Sequence, residues 1–192
     1  MKGIRIFLAE GFEETEALAT LDVLRRGKID ALTVSTKDEG TLVTGSHGIP
    51  VFADMPFSEF LSGLQEEGTG PDDVMIFPGG MPGTRNLAAH ERLMDLMKRH
   101  HALGGTVAAI CAAPGLVVSQ LDDLEGIRFT CYDGFEEHLL AKGAEYVKAP
   151  AVADRTIITG RGAGCAIDFG LKILEHLRGP EAAETVRRGL MI

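Results

Sequence analysis

Short apolar runs alternate with longer amphipathic ones along this chain, and that alternation limits its fold more than any other feature. Val74–Phe77 and Thr106–Ile110 are apolar at nearly every position rather than at every second one. A strand of that kind has to be covered on both faces, as in a parallel sheet between two layers of helices. Ile4–Ala9, Ala31–Ser35, Arg128–Cys131 and Thr156–Thr159 read as further strands, and Glu145–Ala153 as extended chain. Thr41–Ala53 carries Gly45, Gly48 and Pro50, which favours a hairpin over a helix. Glu14–Arg26 reads as a helix with Ala17, Leu18, Leu21 and Leu24 on one face, ended by Gly27. Further helices are expected over Ser58–Glu67 (closed by Gly68-Thr69-Gly70-Pro71), Asn86–His101, Ala113–Leu121 and Phe135–Ala141. Ala163–Leu177 is apolar on two adjoining rows and should be largely buried. Gly179-Pro180 breaks it, and a last helix begins at Glu181. The expectation is one α/β domain over residues 1–192, a three-layer sandwich with a mostly parallel sheet.

Charge excludes some partners. The net charge is −9, and basic residues cluster no further than pairs such as Arg25-Arg26 and Arg187-Arg188, so neither nucleic acid nor an anionic membrane is expected. No run approaches the roughly 18 apolar residues of a membrane span. Met1–Ala9 is broken by Arg5 and followed at once by Glu10, which suits a first strand better than a signal peptide. Three widely spaced cysteines, Cys111, Cys131 and Cys165, suit neither a disulfide framework nor a CxxC metal site. A reducing, cytoplasmic compartment is expected.

In such a sheet, ligands sit at the carboxyl ends of the strands. Three segments fall there. In Ala109-Ile110-Cys111-Ala112-Ala113-Pro114-Gly115, a cysteine stands where a buried strand turns into a helix. This is a nucleophile-elbow layout: the tight turn exposes the side chain, and the helix N-terminus favours the thiolate. The bland alternative is a small buried hydrophobe. Phe77-Pro78-Gly79-Gly80-Met81-Pro82-Gly83 also follows a strand. The Gly80 and Ala112 N–H groups would together make an oxyanion hole, although for the glycine segment taken alone an ordinary turn is the better explanation. Glu10-Gly11-Phe12-Glu13-Glu14-Thr15-Glu16 opens the first helix. Dipole compensation accounts for Glu13 and Glu14. Glu16 would act on Cys111 if it points towards the neighbouring strand end: as a carboxylate it raises the thiol pKa, and as a protonated acid it donates a hydrogen bond to the thiolate.

These segments, with Thr159-Gly160-Arg161-Gly162-Ala163-Gly164-Cys165, resemble the ThiJ/PfpI family along nearly the whole chain, in the branch of the parkinsonism-associated protein deglycase and its bacterial relatives. The resemblance implies a flavodoxin-like fold of the class I glutamine amidotransferase type. It implies a reactive Cys111, a Glu16 hydrogen-bonded to it, and a pocket shaped by Gly79, Gly80 and Ala112. It also implies a homodimer with the first helix near the interface, no metal and no organic cofactor. The chain departs from the family pattern in places. Ala112 stands where the peptidase branch has His, and Tyr132-Asp133 where the deglycase branch often has His-Pro. His100, His101, His138 and His176 read as solvated surface residues, and His47 and Arg26 are placed near the pocket only by resemblance.

Three functions follow from this reading. The first is glyoxalase or deglycase chemistry, in which the Cys111 thiolate adds to a small 2-oxoaldehyde or acts on its protein adduct. The second is non-enzymatic redox sensing or stress chaperoning through an oxidisable Cys111. The third, peptidase activity, is disfavoured by the absence of a neighbouring His. Tyr132 would supply a phenol in place of the imidazole if it lines the pocket. Cys165 reads as packing, and Cys131 as packing, a pocket-lining residue or a resolving thiol.

Overall fold

Every second side chain of the central strands enters one apolar cluster, and the intervening ones enter another. Ile4, Ile6 and Leu8 lie on one face with Val74, Ile76, Ala108 and Ile110. Phe7 lies on the other with Met75, Phe77, Val107 and Ala109. In the computed structural model, which describes residues 3–67, 70 and 72–192, this two-faced burial belongs to a seven-stranded sheet. The strands are β1 (Ile4–Leu8), β2 (Ala31–Ser35), the hairpin β3 (Leu42–Thr44) and β4 (Pro50–Phe52), and β5 (Met55–Pro56). There follow β6 (Val74–Phe77), β7 (Thr106–Ile110), β8 (Arg128–Phe129), β9 (Glu145–Tyr146), β10 (Ala151–Asp154) and β11 (Ile157–Gly160). The main sheet has the order β10-β11-β7-β6-β1-β2-β5. It is parallel except for the antiparallel edge strand β10. The chain passes from β1 outward to β2 and later returns to β6 on the other side of β1, so the strand order reverses there and opens a crevice at the strand ends.

Helices cover both faces. On one lie α1 (Glu14–Arg26), α7 (Ala166–Arg178) and α8 (Pro180–Gly189); on the other lie α2 (Phe57–Glu67), α3 (Gly83–Ala88), α4 (Glu91–Ala102) and the single turn α5 (Ala113–Leu116). A further turn, α6 (Glu137–Leu140), packs beside α5. The three-layer α/β sandwich expected from the sequence is therefore the fold.

Several boundaries differ from expectation, each for a local reason. The helix expected over Asn86–His101 is two helices. His90 caps the second: its Nδ1 accepts from Leu93 N–H at 3.2 Å, and its Nε2 lies 3.2 Å from Thr36 O. The helix expected to Leu121 stops at Leu116 and continues as a 3-10 turn, Val118–Gln120. Of Arg128–Cys131 only the first two residues pair as strand, because Thr130 N–H is taken by Thr159 Oγ1 at 2.9 Å. The helix expected over Phe135–Ala141 is reduced to Glu137–Leu140, and that expected from Ala163 begins with a 3-10 turn, Ala163–Cys165. Within the turn expected after α2, Gly68, Thr69 and Pro71 lie outside the described residues. His100 is buried rather than solvated. Gly105 folds over its ring, and Nε2 meets Thr106 O at 3.1 Å. His101 is half-buried, while His138 and His176 are exposed.

The α1–α7 contact positions the site, because α1 carries Glu16. Gly170 lets the two helices close: a Cβ there would lie 2.9 Å from Val23 Cβ. Gly170→Val is expected to lower stability by about 1–3 kcal/mol through overpacking. Urea unfolding reads this directly, and an unchanged or raised midpoint would contradict it.

Candidate active site

Four adjacent strands, β11, β7, β6 and β1, deliver Gly160, Cys111, Gly79-Gly80 and the start of α1 to one edge of the sheet. Cys111 directly follows β7 with φ 65°, a left-handed conformation that non-glycine residues rarely hold. Such a residue persists only where its surroundings fix it. Here Cys111 N–H donates to Gly160 O at 3.0 Å, and Tyr132 N–H donates to Cys111 O at 2.9 Å. The sharp turn lifts the thiol to a half-buried position beside the Ala112 and Gly80 N–H groups, both of which favour its charged form. The helix behind the elbow is a single turn, so these two aimed donors matter more than the helix dipole on which the sequence expectation relied.

Glu16 reaches the same point from α1. Glu13 caps that helix, its Oε2 accepting from Glu16 N–H at 2.6 Å, and its own N–H donates to Gly79 O at 2.9 Å. Gly79 N–H in turn donates to Glu16 Oε2 at 2.7 Å, a fully buried bond. A side chain at Gly79 is excluded, since its Cβ would lie 2.5 Å from Cys111 Cβ and 2.6 Å from Glu16 Oε2. Gly80 has φ 91° and packs directly on the Gly11–Glu13 backbone. Glu16, Gly79, Gly80, Cys111 and Ala112 thus converge.

Burial pushes the Glu16 carboxyl up to about 7, against the opposing pull of the Gly79 N–H and the Cys111 thiol. Burial also pushes the Cys111 thiol up to about 12, helped by the charge and the acceptor oxygen of an ionised Glu16 and opposed by the Ala112 and Gly80 N–H groups. The pair loses one proton well before the second. Glu16 Oε1 is buried with no hydrogen-bond partner. An ionised carboxylate would leave that buried oxygen unsatisfied, which favours the protonated form of Glu16. With Glu16 neutral, its charge no longer holds the thiol proton. The geometry therefore favours placing the remaining proton on Glu16 and the charge on Cys111.

Tyr132 lies on the rim. Its backbone holds the elbow, but its side chain is 55% exposed and meets Phe135 edge-on. Cys131 is buried in the apolar cluster, and burial pushes its thiol up to about 12, which supports the packing reading. Cys165 is half-buried at the start of α7. Glu14 has a role that sequence reasoning missed. It is buried, accepts from His47 N–H at 2.8 Å and pairs with His47 Nδ1 at 2.9 Å, tying the β3–β4 hairpin to α1. Burial would raise its carboxyl, but these bonds hold it down at about 2. Nothing in its Glu-Glu-Thr-Glu setting distinguishes it from a solvated helix-start carboxylate.

The DJ-1/PfpI family model matches residues 2–176. The chain belongs to the DJ-1/PfpI family. Among its relatives, Protein DJ-1 homolog A of Arabidopsis thaliana is 35% identical over 191 residues, covering all of this chain and 47% of the plant protein. The chain thus spans about half the length of that relative. A Caenorhabditis elegans protein named glutathione-independent glyoxalase DJR-1.2 is 30% identical over 183 residues, covering 95% of this chain and 92% of the nematode protein. The crystal structure of a cysteine-to-alanine mutant of a DJ-1 superfamily protein from Salmonella typhimurium matches with a TM-score of 0.86 and 32% identity. That match covers 100% of this chain and 98% of the other. The family and the flavodoxin-like fold implied by the sequence motifs are therefore established.

The raised Glu16 pKa makes stability depend on pH. The folded pair keeps its first proton to about 7, whereas an unfolded Glu16 releases it near 4.5. The folded state thus binds more protons between those values, and stability falls as pH rises through the window. Glu16→Gln should abolish this fall and leave the protein more stable than wild type at pH 8, by up to roughly 3 kcal/mol. Denaturation at pH 4.5 and pH 8 tests it; a Gln variant with the wild-type pH dependence would refute it.

Proposed function

We propose that this protein carries out cysteine-dependent, glyoxalase- or deglycase-type chemistry on 2-oxoaldehydes or their adducts. One observation carries the reading: the Gly80 and Ala112 N–H groups and the buried Glu16 carboxyl all converge on the Cys111 sulfur. The 30% identity to a nematode protein named as a glutathione-independent glyoxalase supports it.

The proposed route uses each group once per step. The Cys111 thiolate adds to the aldehyde carbon of methylglyoxal, forming a C–S bond. The carbonyl oxygen takes up the charge, is held by the Gly80 and Ala112 N–H groups, and receives the Glu16 proton to give a hemithioacetal. Glu16, now a carboxylate, removes the hydrogen of the former aldehyde carbon as a proton. It returns that proton to the neighbouring, ketone-derived carbon, and a 2-hydroxy thioester results. Water cleaves the thioester, releasing lactate and restoring the thiol. The sum is methylglyoxal plus water to lactate, with no oxidant or reductant. A carboxyl whose pKa lies near neutrality can serve as both acid and base here. No imidazole is required in this scheme, so Ala112 beside the cysteine fits it while disfavouring a peptidase.

Lactate release from methylglyoxal should vanish in Cys111→Ser and fall by about 10²–10⁴-fold in Glu16→Gln. Full turnover in folded Cys111→Ser would remove the proposal.

A further inference from the structure

The elbow is gripped by two segments that no strand ladder joins among the described residues. Cys111 N–H donates to Gly160 O at the end of β11, and Cys111 O accepts from Tyr132 N–H in the segment after β8. Among the described residues, β8 pairs only with β9. Side-chain links tie the Tyr132 segment to β11 instead. On one side of the elbow, Thr159 Oγ1 accepts from Thr130 N–H at 2.9 Å. On the other, Arg161 Nη2 donates to Asp133 Oδ1 at 2.8 Å and Oδ2 at 2.9 Å. Asp133 and Arg161 are the residues immediately after Tyr132 and Gly160. Tyr146 Oη donates to Asp133 Oδ1 at 3.2 Å, and Lys148 Nζ lies 3.8 Å from Oδ2, so Asp133 is itself held in place.

We propose that the Asp133–Arg161 ion pair is a positioning clamp for the reactive elbow, keeping together the two backbones that hold Cys111 in its left-handed conformation. Neither side chain is assigned a contact with substrate; both act through Tyr132 and Gly160. The Arg161 and Asp133 side chains are 30% and 62% exposed, and pairs that exposed contribute little to global stability. The clamp should therefore register in the behaviour of Cys111 rather than in the melting temperature. A single nitrogen makes both contacts, so a lysine ammonium at position 161 can replace it. The inference rests on Cys111 being the reacting group and is independent of which aldehyde it takes.

The test is the pH profile of iodoacetamide alkylation at Cys111, followed by site-resolved peptide mass spectrometry because Cys131 and Cys165 are also free thiols. Wild type, Asp133→Asn, Arg161→Ala and Arg161→Lys are compared, each with and without Glu16→Gln. In Asp133→Asn and Arg161→Ala the Cys111 rate near neutral pH should fall about two- to fivefold, the scale of an exposed ion pair. The effect of Glu16→Gln on that rate should shrink in both, with melting unchanged, and Arg161→Lys should keep the wild-type profile. Profiles of Asp133→Asn and Arg161→Ala that superpose on wild type would overturn the clamp. So would an Arg161→Lys profile as altered as that of Arg161→Ala. Alkylation is read without substrate, so failure of the glyoxalase reading and failure of the clamp give separate results.

Discussion

A buried hydrogen bond from Gly79 N–H to Glu16 Oε2, 2.7 Å long, joins the two halves of the crevice. One partner comes from the turn after β6 and the other from the first turn of α1, the elements on either side of the reversal in strand order. The bond can form only because residue 79 has no side chain; any Cβ would strike both Cys111 and Glu16. Much else nearby serves it. Glu13 ties the helix start to the same turn, Gly80 packs onto the Gly11–Glu13 backbone, and the α1–α7 contact sets the depth of the helix. Glu14 and the hairpin close over the outer side of that helix start.

The fold thereby brings together two groups that each resist ionisation. Burial raises both the Glu16 carboxyl and the Cys111 thiol. A carboxyl and a thiol in one desolvated place cannot both ionise near neutral pH, and the surrounding donors decide which keeps the proton. Two N–H groups face the sulfur, while one of the carboxyl oxygens has no satisfied bond. The same burial makes the folded protein less stable as pH rises. Local stability given up at a reactive site is common in enzymes.

Much of this was legible in the residues. Continuously apolar strands at Val74–Phe77 and Thr106–Ile110 required a sheet covered on both faces, and the small residues around Cys111 marked a tight turn at a strand end. Gly79, Gly80 and Ala112 could be named because each follows a strand that ends at the same edge of the sheet, and Glu16 because the family resemblance implies it. Other features could not be read because they depend on tertiary partners. His90 splits a helix by capping it from within an otherwise periodic stretch. Gly105 buries His100, which looks like any other charged-face residue of α4. Glu14 differs from its neighbours only by meeting a hairpin more than thirty residues away. The Asp133–Arg161 contact depends on the Tyr132 segment leaving its expected strand early.

The central claim is that Cys111 and Glu16 share a proton, with the charge resting on sulfur once the first proton leaves. Ultraviolet absorbance of the thiolate against pH, in wild type and in Glu16→Gln, with Cys111→Ser as the blank, tests it most directly. The account predicts that the Cys111 thiolate in wild type appears with the pair's first proton loss, far below about 12, and that this step shifts upward in Glu16→Gln. A Cys111 thiol that stays protonated until about 12 while Glu16 alone titrates near 7 would contradict it.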